Sequence, residues 1–281
     1  MTEPAHAEHS EHRDIRARCD GVQVDILLDG FGAAWDDVRD AAVAAGEAGI
    51  TGVWVFDHVD GRVYGAPHVL EGWTLLSALA VAVPDVMLGP LVLNVANRPP
   101  GVLAAMASTL QHISGGRLLL GLGAGARPGT PYAREQETIG QPVYGAVQRR
   151  LQVEHCIEEV RTLWRQPGFL DPDPEPPIII GAHGEKMADL AGRIADGINI
   201  PASHPRLGEL VDVARAARRR VGADPDELMV TVLAQLGDPW LDPDSPARKR
   251  LAAVGVDRIV FLVSLPADPV SFTVAAGAWR R

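Results

Sequence analysis

Residues 176–200 read PPIIIGAHGEKMADLAGRIADGINI. Pro177–Gly181 is a short, continuous apolar run of the kind found in strands buried on both faces. Glu185–Ile194 follows with apolar residues at three- and four-residue spacing, the period of a helix with one buried side. Gly197–Ile200 is apolar and strand-like again. A helix between two strands is the connection that parallel neighbours require. This stretch is therefore one complete unit of a parallel α/β fold.

The same unit recurs in both directions. Upstream, Val22–Leu28 leads to a helix over Trp35–Ala48 that closes at Gly49. Gly52–Phe56 precedes a helix from Trp73, and Val86–Val95 one from Pro99–Pro100, where proline suits the first turn. Arg117–Gly123 leads through a Gly/Pro-rich loop to a helix over Val143–Trp164. Downstream, helix Pro205–Val221 ends at Gly222, Leu228–Gln235 precedes a short helix over Pro246–Val254, and Arg258–Val263 a last helix through Trp279. Eight strand–helix pairs joined by right-handed crossovers predict a (β/α)8 TIM barrel with a shortened insertion. An open doubly wound sheet is the alternative. The proline-rich segment RQPGFLDPDPEPP (165–177) breaks the period, but the alternation resumes directly after it, so it reads as an excursion within one domain. The expected organisation is a disordered N-terminal tail over 1–20 and a single catalytic barrel over 21–281. His6, His9 and His12 sit in that tail among glutamates, without an apolar face, and read as solvated rather than metal-binding.

The chain has 281 residues, 47% hydrophobic and 22% charged, enough for a sizeable core. Its formal net charge of −10 repels a phosphate backbone and argues against nucleic acid as a partner. Two cysteines, Cys19 and Cys156, exclude a disulfide framework and a four-cysteine metal site, and fit a reducing compartment. No apolar run reaches the length of a membrane helix, and the first residues lack the apolar segment of a signal peptide. A cytoplasmic location without membrane contact is expected.

In such a barrel the residues just after each strand converge on one mouth. They are Asp29; Asp57 and His58; Asn94, Asn97 and Arg98; Gly121–Gly129; the turn GAHGEK at 181–186; Asn199, Pro201 and Ser203; Gln235; and Ser264. The first strand carries no histidine, so the ligand set of a metal-dependent hydrolase is lacking. Lys186 and Lys249 are the only lysines, and neither projects from a strand end as a Schiff-base lysine does. What remains is rich in glycine and backbone donors, which suits a large, flat, partly anionic cofactor. GLGAG (121–125) lets the backbone approach such a molecule without Cβ interference, and AHGEK, opening a helix, offers N–H groups to a phosphate with Lys186 nearby.

Four stretches, AGITGVWVFDH, LGPLVLNVANRPPGVLAAMASTLQHISGGRLLLGLGAG, RRLQVEHCIEEVRTLW and the opening 176–200 segment, resemble the luciferase-like monooxygenase superfamily. The likeness is to its deazaflavin (coenzyme F-420) dependent oxidoreductase branch and runs from about Gly46 to Pro201. It implies that Asp57 and His58 face the cofactor ring as catalytic residues, with His58 shuttling a proton. It implies a non-proline cis bond at Leu91–Val92 behind the ring, and Asn94 at a polar edge of the cofactor. Gly123, Ala124 and Gly125 would lie beside it, with Gly129 where relatives carry a polar ligand. His183, Gly184, Lys186 and Met187 match the phosphate turn, and Ile200 the strand end closing that pocket. Where sugar-phosphate dehydrogenases of this branch place a catalytic glutamate, the chain has Ala126 and Arg127, so glucose 6-phosphate is not the expected substrate. The tryptophan common after Asp-His is replaced by VDGRVYG (59–65). The resemblance implies a deazaflavin-dependent oxidoreductase acting on a small organic molecule, pairing as a homodimer. The alternatives are an FMN-dependent monooxygenase and a catalytically silent flavin-binding homologue. Asp57, where many FMN members carry histidine or glutamate, favours the deazaflavin.

Overall fold

A computed structural model of the chain describes residues 21–279; the expected tail, with its three histidines, lies outside the described residues. Nine parallel strands form one sheet: β1 (Gln23–Leu28), β2 (Gly52–Val55), β3 (Met87–Pro90), β4 (Leu93–Asn94), β5 (Leu120–Gly123), β6 (Ile178–Gly181), β7 (Gly197–Pro201), β8 (Met229–Gln235) and β9 (Arg258–Val263). Their order is β3-β2-β1-β9-β8-β7-β6-β5-β4. The two ends of that order are halves of one expected strand, Val86–Val95, divided at a cis bond between Leu91 and Val92. A parallel bridge between Leu88 and Leu118 joins β3 to the segment entering β5 and closes the ring. The TIM barrel is present, and the split third strand turns eight expected strands into nine.

The helices are α1 (Trp35–Glu47), α2 (Gly72–Ala82), α3 (Pro100–Ser114), α4 (Pro131–Thr138), α5 (Ala146–Trp164), α6 (Glu185–Ile194), α7 (Leu207–Arg220), α8 (Asp238–Leu241), α9 (Pro246–Val254) and α10 (Pro269–Trp279). Helix α4 corrects the expectation of an unbroken loop after the fourth strand. Thr130 accepts a hydrogen bond from Ala133 N, and Pro131 occupies the first turn, a capped start that the surrounding Gly and Pro obscured.

Strand alternation separates two cores. Leu27, Trp54, Leu91, Leu119, Ile179 and Val260 fill the barrel, while their chain neighbours pack outward against the helices. Trp54 is fully buried and fits because Gly89 faces its ring; a Cβ there would overlap the indole at 2.6 Å. Toward the N-terminal end, Asp25 lies fully buried and accepts hydrogen bonds from Arg258 Nε and Nη2, both at 2.7 Å, from Trp54 Nε1 at 2.9 Å and from Thr51 Oγ1 at 2.7 Å. Every carboxylate lone pair there meets a donor, the condition under which a buried charge is tolerated. That end of the barrel is plugged by structure. The chemistry-bearing side chains gather at the other.

Candidate active site

His58 follows β2 on the loop that ends in the 3₁₀ turn Gly61–Tyr64. Its Nδ1 lies 2.8 Å from Oε2 of Glu135 on α4. Oε1 of the same carboxylate accepts from the backbone N–H of Val59 at 2.5 Å and of Asp60 at 3.0 Å. Burial raises the Glu135 pKa, but the hydrogen bonds from His58 and the two backbone amides outweigh it, and the group rests below the ordinary carboxylate value. Nε2 of His58 has no hydrogen-bond partner among the described residues. The ring sits in an aromatic box: Phe31 at 5.1 Å between centroids, Phe56 at 5.7 Å, Tyr64 at 5.7 Å and Tyr132 at 5.6 Å. Tyr64 and Tyr132 join hydroxyls at 2.7 Å, linking the loop after β2 to α4. Burial and that hydroxyl neighbour raise the Tyr64 pKa, so the phenol stays protonated.

Asp57 does not share this box. Its side chain is 1% exposed and accepts from Arg98 Nη1 at 2.9 Å and Nη2 at 2.7 Å and from Asn94 N at 2.8 Å. Arg98 also reaches Glu71 at 2.5 Å, which caps α2 through Trp73 N and Thr74 N. Asp57 thus stands outside the box that holds the imidazole: Oδ2 accepts from Arg98 and Asn94 N and Oδ1 from Arg98, which ties β2 to the third-strand end. Asn94 is committed as well. Its amide donates to Asn97 and Gln136, and its oxygen accepts from Ala96 N, so it shapes the mouth rather than reaching out of it.

The remaining expected residues divide. Leu91 lies within the barrel core, and the Val92 methyls fill the space over Gly123 and Gly181. Gly125 takes φ +68° directly against the Asn94 amide, a place no side chain could occupy. Ala124 is partly buried beside it, and Gly129 forms an exposed turn with φ +78°. Gly184 opens α6, Met187 packs partly against the outer core, and Lys186 is exposed without an ion pair among the described residues. His183 lies 6.4 Å from His204, and its protein surroundings together with that like charge hold its pKa below the usual value. Ile200 is displaced from the mouth: it is fully buried between barrel and helices. Alternation turns its neighbour Asn199 inward instead, where it donates to Thr231 at 2.8 Å.

Three polar groups escaped the sequence reading, Glu135, Gln136 and Arg149, as did the aromatic residues Phe31, Phe56, Tyr64 and Tyr132 around His58. Gln136 accepts from Asn94 and Ala126 N and donates to the Pro142 carbonyl. Arg149, from α5, donates to the Gly125 carbonyl at 2.8 Å. Burial and the neighbouring Arg127 cation lower its pKa, and its Nε is buried without a partner among the described residues. The Thr130–Pro131 helix start was the available signal for the first two. Arg149 lay in a helix already expected, with nothing to mark it.

The fold is a (β/α)8 barrel with its polar groups at the C-terminal mouth. The family model for luciferase-like monooxygenases matches residues 19–237. The chain belongs to the luciferase-like monooxygenase family. A 5,10-methylenetetrahydromethanopterin reductase of Methanolobus tindarius is 30% identical over 234 residues, 78% of this chain and 66% of that one. The chain thus spans just under two thirds of that curated relative. Among solved structures, an F420-dependent secondary alcohol dehydrogenase in complex with an F420-acetone adduct superposes with a TM-score of 0.74 at 18% identity, over 92% of this chain and 97% of that one. The EDTA monooxygenase of Chelativorans sp. BNC1 gives 0.69 at 14% identity, over 92% of each chain. These likenesses concern the fold.

Proposed function

We propose that the protein is an oxidoreductase that moves a hydride between coenzyme F-420 and a small organic substrate, with His58 exchanging the accompanying proton. The observation that carries this reading is the open Nε2 of His58, held in an aromatic box at the mouth of the barrel. The fold is shared with an F420-dependent alcohol dehydrogenase. When bound, the deazaflavin supplies the carbon that accepts or gives the hydride. The residues fit such a molecule in two ways. The Leu91–Val92 backbone with the Val92 and Asn94 side chains, which seat over Gly123 and Gly125, would form one edge of its site, and the orphaned Arg149 Nε with Arg127 offers cationic donors for an anionic chain. Ala124 and Gly129 would line the same edge, and Gly184, His183, Lys186 and Met187 at the start of α6 are the proposed phosphate turn. Phe31, Phe56, Tyr64 and Tyr132 would exclude water around His58, which suits an uncharged substrate.

FMN with molecular oxygen is the second reading, favoured by the barrel shared with the EDTA monooxygenase. Titrating the protein with each cofactor while recording absorbance and fluorescence separates the two. Saturable binding of the deazaflavin is expected, and tight binding of FMN alone overturns the first reading.

We further propose a homodimer paired through α2 and α3. Val81 is 77% exposed and Val102 and Ile113 51% each, and an apolar groove of about 510 Å³ runs between these helices, lined by Trp73, Val102, Met106, Leu110, Ile113 and Phe169. Apolar surface gathered in this way favours a protein partner. No helix among the described residues is long and apolar enough to cross a membrane. The free buried Cys156 suits a reducing, cytoplasmic setting.

A further inference from the structure

We infer that Glu135 is a positioning residue that decides which nitrogen of His58 meets the substrate, an inference that rests on the proton-exchange reading of His58. One carboxylate oxygen is committed to the backbone N–H groups of Val59 and Asp60. The other faces Nδ1 of His58 at 2.8 Å. An ionised carboxylate can only accept, so Nδ1 carries the hydrogen and donates it. Glu135 is held below the ordinary carboxylate pKa and is ionised near neutrality. In the neutral ring the lone pair then falls on Nε2, the nitrogen with no partner among the described residues, open among Phe31, Phe56, Tyr64 and Tyr132. A proton released by the substrate is taken up at Nε2 and returned from Nε2 in the reverse direction. Glu135 touches neither substrate nor cofactor in this scheme. It acts by orienting the ring and fixing its tautomer.

The two backbone donors make the test directional. In Glu135→Gln they retain the amide oxygen, which turns the NH₂ toward Nδ1. Nδ1 must then accept, and the ring is driven into the form with hydrogen on Nε2. Nitrogen NMR of the full-length protein labelled at histidine, without substrate or cofactor, reads this directly, with the His58 signal assigned by its loss in His58→Asn. Nδ1-protonated His58 is expected in the wild type and Nε2-protonated His58 in Glu135→Gln. The same tautomer in both proteins, or an Nε2-protonated wild type, overturns the inference, and the wild-type spectrum decides alone if the variant does not fold. With cofactor added, turnover in Glu135→Gln should fall about a hundredfold or more while cofactor affinity holds. A switched tautomer with unchanged turnover leaves the positioning role standing and overturns the proton-exchange reading of His58.

Discussion

Arg98 divides one guanidinium between Asp57 and Glu71, and in doing so separates two adjacent residues by task. Asp57 becomes a tie between strand ends, while His58 keeps a free ring nitrogen. If that nitrogen exchanges the substrate proton, His58→Asn should lower turnover by about 10²–10⁴-fold, the usual worth of a general acid–base group. Cofactor affinity, read by titration, should be unchanged. At the opposite end of the barrel, Asp25 depends on Arg258 in the same way that Asp57 depends on Arg98. Arg258→Met leaves a buried carboxylate without its counter-charge and should cost about 3–5 kcal/mol, measured by urea unfolding.

Helix α4 acts as a latch at the scale of elements. Tyr132 meets the loop after β2 through Tyr64, Glu135 holds His58 and its next two amides, and Gln136 holds the third and fourth strand ends through Asn94 and Ala126. The Glu135 contribution carries a pH signature. Its pKa is depressed in the folded protein, so the stabilisation is present above the unfolded value of about 4.5 and is lost as pH falls through the folded value. The stability difference between wild type and Glu135→Gln, measured in urea, should therefore shrink below about pH 4.5. The strands were legible because burial on both faces demands unbroken apolar runs, and the mouth residues because they follow those runs. Helix α4 was not: it is short and polar, and stands among Gly129, Pro131 and Gly140, which read as loop. The inward turn of Asn199 and outward turn of Ile200 depended on strand phase, which a fully apolar run does not reveal.

The closed barrel as a whole followed from counting alternations, and the division of its third strand fell at the bond that family resemblance had singled out. Its outer surface is less even than its interior. The exposed Val81, Val102 and Ile113 stand on α2 and α3, and the groove between these helices takes no residue from α4 or α6. Val102→Glu places a charge in that groove and should convert a dimer to a monomer, read by light scattering after size exclusion. Cofactor binding should survive, since the groove shares no residue with the mouth. A monomeric wild type would remove the pairing proposal.

The bond between His58 and Glu135 spans 77 positions of the chain. Loop exchange between homologues is a common way to alter selectivity in barrels, and here the segments around 57–64 and 130–141 are not independent modules. A chimaera taking one of them from a donor and keeping the other would part the imidazole from its acceptor and break the tyrosine pair above it. Transplanted together, they carry their own wiring, and any library built on this scaffold should diversify them as a single cassette.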